Sequence, residues 1–200
     1  MIFNNALNNM FNGFITILRA SPALSFAISL TLYITTQLDM YLFLVVLIFL
    51  GELLNNFLKH KIFKPIMRNK KWPILGYGIR PKFSKNSSQF GDINKPPHKY
   101  TYGMPSGHSQ TTLLFATFIT LIITDYHHDI LSNYAQIILV FMLAGFTISV
   151  LWSRLYLNCH TIQQVILGSF IGILLGYYGY YFMKDINTQQ VQQVQQVQQL

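Results

Sequence analysis

Residues 41–50 read Tyr-Leu-Phe-Leu-Val-Val-Leu-Ile-Phe-Leu, ten aromatic or aliphatic side chains with no polar period. A helix of a water-soluble domain keeps a polar face, so a run that is apolar all round suits lipid on every side. Working outward, the run extends from Met40 to Leu58 with one charge, Glu52. Four further stretches, Ala20–Leu38, Ser109–Thr124, Ile130–Ser153 and Ile162–Met183, carry no Asp, Glu, Lys or Arg. A helix needs about 20 apolar residues to cross a hydrocarbon core, within a range of about 17–25. Charged residues make up 10% of the chain, against roughly a quarter in soluble domains. Five buried helices in 200 residues would leave too little polar surface to cover them in water. These observations predict an all-α, polytopic transmembrane bundle of about five spans. They exclude a soluble globule, a disordered chain and a coiled coil.

The remaining segments set the domain organisation. Residues 1–19 precede the first stretch; Met10–Leu18 is too short to span and is expected at the interface. The first residues lack a basic region, so no cleavable leader is expected. Residues 20–183 form the membrane domain. Residues 184–200 end in Gln-Gln-Val repeats of period three, neither helical nor strand-like, and are expected to be a disordered tail without chemistry. Cys159 is the single cysteine, which excludes an internal disulfide and any multi-cysteine metal site.

The net charge is +8, and 11 of the 14 Lys and Arg residues fall between Lys59 and Lys99, where Asp92 is the one acid. Pro65, Pro73, Pro81, Pro96 and Pro97 punctuate this polar loop, residues 59–105, and predict irregular structure. A basic loop beside a bilayer attracts anionic headgroups, which accounts for most of these lysines. The loop shows no nucleic-acid-binding module, and no nucleic-acid partner is expected.

Chain crossing then gathers chemistry on one side. The second stretch ends at Lys59. The loop leads to Tyr102-Gly-Met-Pro-Ser-Gly-His108 at the head of the third, and the fourth returns to Ser153-Arg154. A short link brings His160 to the head of the fifth. If the third and fourth stretches are full spans, Lys59, Arg80, Ser106, His108, Arg154 and His160 share one membrane face. Two imidazoles, two guanidiniums, an ammonium and a Ser-Gly turn before a helix suit a phosphate. The amides of Ser106, Gly107 and His108 would lie at a helix N-terminus, which favours anions. No acidic cluster for magnesium or calcium and no zinc spacing occurs, so a mechanism without metal or cofactor is expected. Glu52, Asn56 and Lys59 fall on one helical face. Glu52 reads equally as a functional group or as a structural partner of a basic side chain. Gly168, Gly172 and Gly176, four apart, predict close helix packing without chemistry.

The runs 102–110 and 153–165 resemble the second and third signatures of the type 2 phosphatidic acid phosphatase superfamily. In detail they are most similar to the dolichyldiphosphatase type. The run Asn55–His60 resembles the start of the first signature, and the similarity covers residues 50–180. Two departures stand out. The family's Arg-Pro, seven residues after its lysine, is here Ile66-Met67. Arg80-Pro81 is favoured in its place, with Arg68 as rival, and Lys64 and Lys71 compete with Lys59. The Asp usual four residues after the nucleophilic histidine is here Gln164.

The resemblance implies a membrane-embedded hydrolase of lipid phosphates or diphosphates acting through a phosphohistidine. His160 would be the nucleophile, oriented by Gln164. His108 would serve as acid and base. Lys59, Arg80 and Arg154 would hold the phosphate oxygens, completed by Ser106 and the Gly107 amide. A polyprenyl or dolichyl diphosphate is the expected substrate. The alternatives are a broader phosphatidic-acid-type lipid phosphatase and a non-catalytic protein that binds anionic lipid. Membrane lipids are the other expected partners, and the location is an endomembrane such as the endoplasmic reticulum. The positive-inside rule would place the site in the cytosol, whereas the dolichyl type implies the lumen.

Overall fold

A computed structural model describes residues 2–68, 70–81, 102–127 and 130–198 of the chain, with side chains from 6 to 189. Lys82, Lys85, Asp92, Lys95 and Lys99 of the basic loop lie outside the described residues. Helices α1 (Ile2–Arg19), α2 (Ser21–Thr36) and α3 (Asp39–Phe57) come first. No Gly or Pro interrupts the chain between Glu52 and Lys64, and α3 runs on as a π-helix, Leu58–Phe63, then as α4 (Lys64–Met67). The first part of the expected irregular loop is therefore helical. An antiparallel hairpin follows, β1 (Lys71–Trp72) and β2 (Gly76–Tyr77), with Lys71 opposite Tyr77 and Trp72 opposite Gly76. The rest is α5 (Gly107–Leu121) with a π-helical end at Ile122–Tyr126, then α6 (Asn133–Tyr156) and α7 (Ile162–Gln198).

The bundle is all-α apart from the hairpin, a polytopic helical membrane bundle as its apolar runs require. Among the described residues, Asp39–Met67, Asn133–Tyr156 and Ile162–Gln189 are long and apolar enough to cross a membrane. Helices α1 and α2, bent by 66° at their junction, are long and apolar enough only when taken together, which makes up to four by length and composition. Helix α2 has 16 residues, short of the required length. Helix α5 opens with polar side chains, and Ser109, Gln110, Thr111 and Thr112 are buried against neighbouring helices. It is the protein-enclosed centre of the bundle.

Around α5, Leu114, Phe115 and Phe118 pack with Met40, Leu44 and Ile48 of α3 and Tyr180 and Met183 of α7. The glycine stripe on α7 faces α5 directly. A Cβ on Gly168, Gly172 or Gly176 would run into the carbonyl oxygens of Ser106, Gln110 and Leu114 respectively. Two four-residue rows thus lie backbone to backbone, the close packing the spacing predicts. At the far end Asp125 accepts hydrogen bonds from Tyr180 (2.7 Å) and Lys184 (2.6 Å), and Tyr41 meets His127 at 3.3 Å.

Both ends of the chain differ from a simple division at residues 20 and 183. Ile15 and Leu18 of α1 are buried with Val150, Leu157 and Cys159, so the end of α1 belongs to the bundle. Its exposed stripe of Leu7, Met10, Phe11, Phe14 and Ile17 has the pattern of an interfacial helix. Helix α7 continues to Gln198, through the stretch the period-three repeat assigns to disorder. Glutamine is a good helix former, and extending an existing helix avoids the cost of nucleation.

Candidate active site

Three folded features converge at one end of α5. Ser106 caps that helix. Its hydroxyl accepts from the Ser109 amide (3.4 Å) and the Ser109 hydroxyl (2.8 Å), and its own amide donates to the Gln164 carbonyl at 3.0 Å. The α6–α7 link turns on Asn158 at φ 51°, a left-handed conformation that asparagine tolerates. That turn lets the Cys159 and His160 amides donate back to the Arg154 carbonyl at 3.0 and 3.3 Å. The hairpin is fastened by amides of Gly103 and Met104 donating to the Gly78 carbonyl (2.8 and 3.2 Å), by an Ile79–Tyr102 bridge, and by Tyr102 donating to the Phe63 carbonyl at 2.7 Å. This stitching carries Arg80 to the site although it lies 21 positions beyond Lys59.

The hydrogen bonds fix which ring nitrogens are available. Gln164 donates from Nε2 to the Tyr77 and Ile79 carbonyls, at 2.9 and 3.0 Å. Two carbonyls can only accept, so the amide orientation is set and Oε1 must be the acceptor. Oε1 lies 3.0 Å from His160 Nδ1, which therefore carries the proton. His160 Nε2 is left with its lone pair. On α5, His108 Nε2 lies 2.9 Å from the Arg19 carbonyl and donates to it, leaving Nδ1 for proton transfer.

Cations surround these rings. Arg154 is fully buried; its Nε and Nη2 both donate to Ser153 Oγ (3.1 and 3.0 Å), while Nη1 is buried without a hydrogen-bond partner. The fields of Arg154, Arg80 and Lys59 reach His108. His160 is 3% exposed, and its pKa lies well below 6.5. Burial is the main cause, the charges of Arg80 and Lys59 add to it, and the Gln164 bond opposes it. Burial also lowers the Arg80 guanidinium, with Cys159 acting in the opposite sense. The result is a neutral nucleophilic nitrogen in a positive, water-poor site whose buried guanidinium seeks an anion. Among the described residues, no three His, Cys, Asp or Glu side chains gather to hold a metal ion.

Of the residues expected from sequence, His108, His160, Arg154, Gln164, Ser106, Gly107, Lys59 and Arg80 are brought together. Lys64, Lys71 and Arg68 are not among the charges acting on either imidazole. Asn56 is exposed; the buried residue of that face is Asn55, which donates to Gln110 Oε1 at 2.8 Å, while Gln110 Nε2 donates to the Gly51 carbonyl at 2.7 Å. Glu52 accepts from Thr111, and its other oxygen would lie 3.8 Å from a Cβ on Gly107. Sequence reasoning missed Arg19, 3% exposed, whose carbonyl fixes the His108 tautomer. A main-chain carbonyl leaves no mark in the sequence, so that contact had no signal, although Arg19 is the sole charged side chain before Asp39.

Comparison with known proteins adds three findings. The profile of the PAP2 superfamily matches residues 40–188. Dolichyldiphosphatase 1 of Dictyostelium discoideum is 42% identical over 86 residues, which cover 43% of this chain and 38% of that protein. The match thus spans less than half of that relative's length. The crystal structure of the first transmembrane PAP2 type phosphatidylglycerolphosphate phosphatase from Bacillus subtilis superposes with a TM-score of 0.63 at 23% identity, over 90% of this chain and 78% of that one. That likeness is one of fold.

Proposed function

Since the chain belongs to the PAP2 superfamily, we propose that it is an integral membrane lipid phosphatase that hydrolyses a lipid phosphate or diphosphate at this site. The observation that carries the reading is the pairing of a lone-pair-bearing His160 Nε2 with the unpartnered, buried Nη1 of Arg154. One supplies a nucleophile and the other seeks phosphate oxygen.

The steps follow from the hydrogen bonds. His160 Nε2 attacks phosphorus, and the bond to the leaving oxygen breaks. His108 takes up the proton that the substrate phosphate brings and passes it from Nδ1 to that oxygen, while the Arg19 carbonyl holds Nε2–H. Gln164 Oε1 steadies the Nδ1–H of the phosphohistidine. A water then yields its proton to His108 Nδ1 and attacks phosphorus, releasing inorganic phosphate and neutral His160. Arg154, Arg80 and Lys59 offset the charge on the equatorial oxygens, with the Ser106 hydroxyl proton and Gly107 amide at the mouth of α5.

A polyprenyl or dolichyl diphosphate is the substrate we favour, because the curated relative at 42% identity is a dolichyldiphosphatase and the shared motifs are of that type. An endomembrane location follows from the same likeness. Phosphate release from dolichyl diphosphate and from phosphatidic acid, by purified protein and by His160→Ala, tests the reading. We expect release from the diphosphate, and less than a thousandth of it in the variant, within the range of rate factors chemical catalysis supplies. Comparable release by His160→Ala would sink the mechanism. Preference for phosphatidic acid would replace the substrate, and no release of either would leave an anionic-lipid binder.

A further inference from the structure

A second cationic feature lies beside the site. A cleft of about 450 Å³ is lined by Ile66, Arg68, Lys70, Lys71, Trp72 and Pro73. Arg68 turns the chain there at φ 47°, a conformation unusual for a residue with a Cβ. No acidic residue occurs between Leu53 and Pro81, so nothing on this segment offsets the three charges. Apolar groups flank the cleft: Ile66 and Trp72 are exposed, and Ile74 at the hairpin tip is 86% exposed. Cations in a groove ringed by an indole and isoleucines, at the membrane face of a spanning helix, match the boundary between headgroups and acyl chains.

We propose that this cleft binds the headgroup of an anionic phospholipid of the surrounding bilayer and thereby steadies the hairpin that holds the nucleophile. The connection is short. Lys71 and Trp72 form β1, paired with Gly76 and Tyr77 of β2. Tyr77 and Ile79 supply the two carbonyls that hold Gln164, and Gln164 holds His160. Gly76 at φ 68° packs on α7, where a Cβ would sit 3.3 Å from Gln163. A headgroup that orders β1 therefore orders the backbone that sets the His160 tautomer. The binding does not depend on the phosphatase reading; its effect on rate does.

Trp72 and Trp152 are the only tryptophans, so Trp152→Phe leaves Trp72 as a single reporter. In vesicles of otherwise phosphatidylcholine, brominated phosphatidylglycerol should quench Trp72 more strongly than brominated phosphatidylcholine at equal mole fraction. Lys70→Gln/Lys71→Gln should remove that preference, a loss on the order of ten- to thirtyfold in relative affinity. Lys61→Gln/Lys64→Gln, which deletes the same charge elsewhere on this face, should retain it. Equal quenching by the two lipids, or equal loss in both double variants, overturns the site in favour of diffuse attraction. Displacement by millimolar glycerol phosphate in solution overturns it in favour of a free-phosphate site. On turnover, phosphatidylglycerol should raise phosphate release severalfold in the parent and not in Lys70→Gln/Lys71→Gln, while release in pure phosphatidylcholine stays equal. Absence of that stimulation, with the quenching preference intact and release measurable, overturns the link to His160 alone.

Discussion

At the scale of single residues, Gln164 explains a departure that looks at first like a lost function. An aspartate at this position could accept from the imidazole but could not donate. Here the side chain must do both, because the Tyr77 and Ile79 carbonyls need its Nε2 protons. Gln164→Glu keeps the length but sets a carboxylate against two carbonyl oxygens, and should cost about 2–4 kcal/mol of stability. Thermal denaturation in detergent would measure it, and an unchanged midpoint would contradict the bond pattern. Arg154→Lys should lower phosphate release on the order of a hundredfold, about 3 kcal/mol in the transition state, because a point charge cannot replace the fork. A loss below threefold would remove Arg154 from the phosphate site. The pH profile carries a sign. His160 is held neutral well below 6.5, so the acid limb of kcat/KM that belongs to it lies below pH 6.5 in the parent. The charge of Arg80 helps push it there, so Arg80→Gln should move that limb to higher pH. A limb that stays in place would mean Arg80 does not act on the nucleophile.

At the scale of elements, the fit of α5 to α7 controls the site. Gly168 lies against the Ser106 carbonyl, and the Ser106 amide is tied to the Gln164 carbonyl. Gly168→Ala must part the two helices where His108 and His160 approach. It should cost about 1–3 kcal/mol of stability and reduce kcat more than KM. Gly145→Ala on α6, where a Cβ would meet nothing within 4 Å, is the control. This seam was readable from the glycine spacing alone, and so were α3, α6 and α7, whose apolar runs admit few alternatives. The hairpin was hidden, since two-residue strands carry no period. The place of Arg80 depends on backbone hydrogen bonds between 78 and 103, which leave no mark on side-chain identity. Asn55 was missed for a related reason. The choice between neighbouring Asn55 and Asn56 rests on helix phase, and the apolar residues around them give no face to measure it from.

At the scale of the whole molecule, the bundle separates chemistry from closure. The imidazoles and their cations occupy one end, and the Asp125–Tyr180–Lys184 cluster occupies the other. Lys184 and Asp125 are partly exposed, and such a pair contributes about 0.2–1 kcal/mol. Asp125→Ala also strands the hydroxyl of the buried Tyr180, so it should lower stability by about 1–3 kcal/mol and leave kcat and KM for phosphate release unaltered; a fall in kcat would show the two ends to be coupled. Length and composition alone recover three of the expected spans among the described residues, or four with the bent α1–α2 pair, because α5 opens with polar side chains. Hydropathy cannot tell a helix wrapped by protein from one wrapped by lipid, and α5 is the former. The hairpin has a wider consequence. It grips the reactive end through main-chain oxygens, so nearly any side chains at 77 and 79 would serve, and homologous loops could be exchanged wholesale. One inserted or deleted residue between Gly76 and Arg80 would instead turn those oxygens away, which makes this segment permissive to drift in spelling and intolerant of change in length.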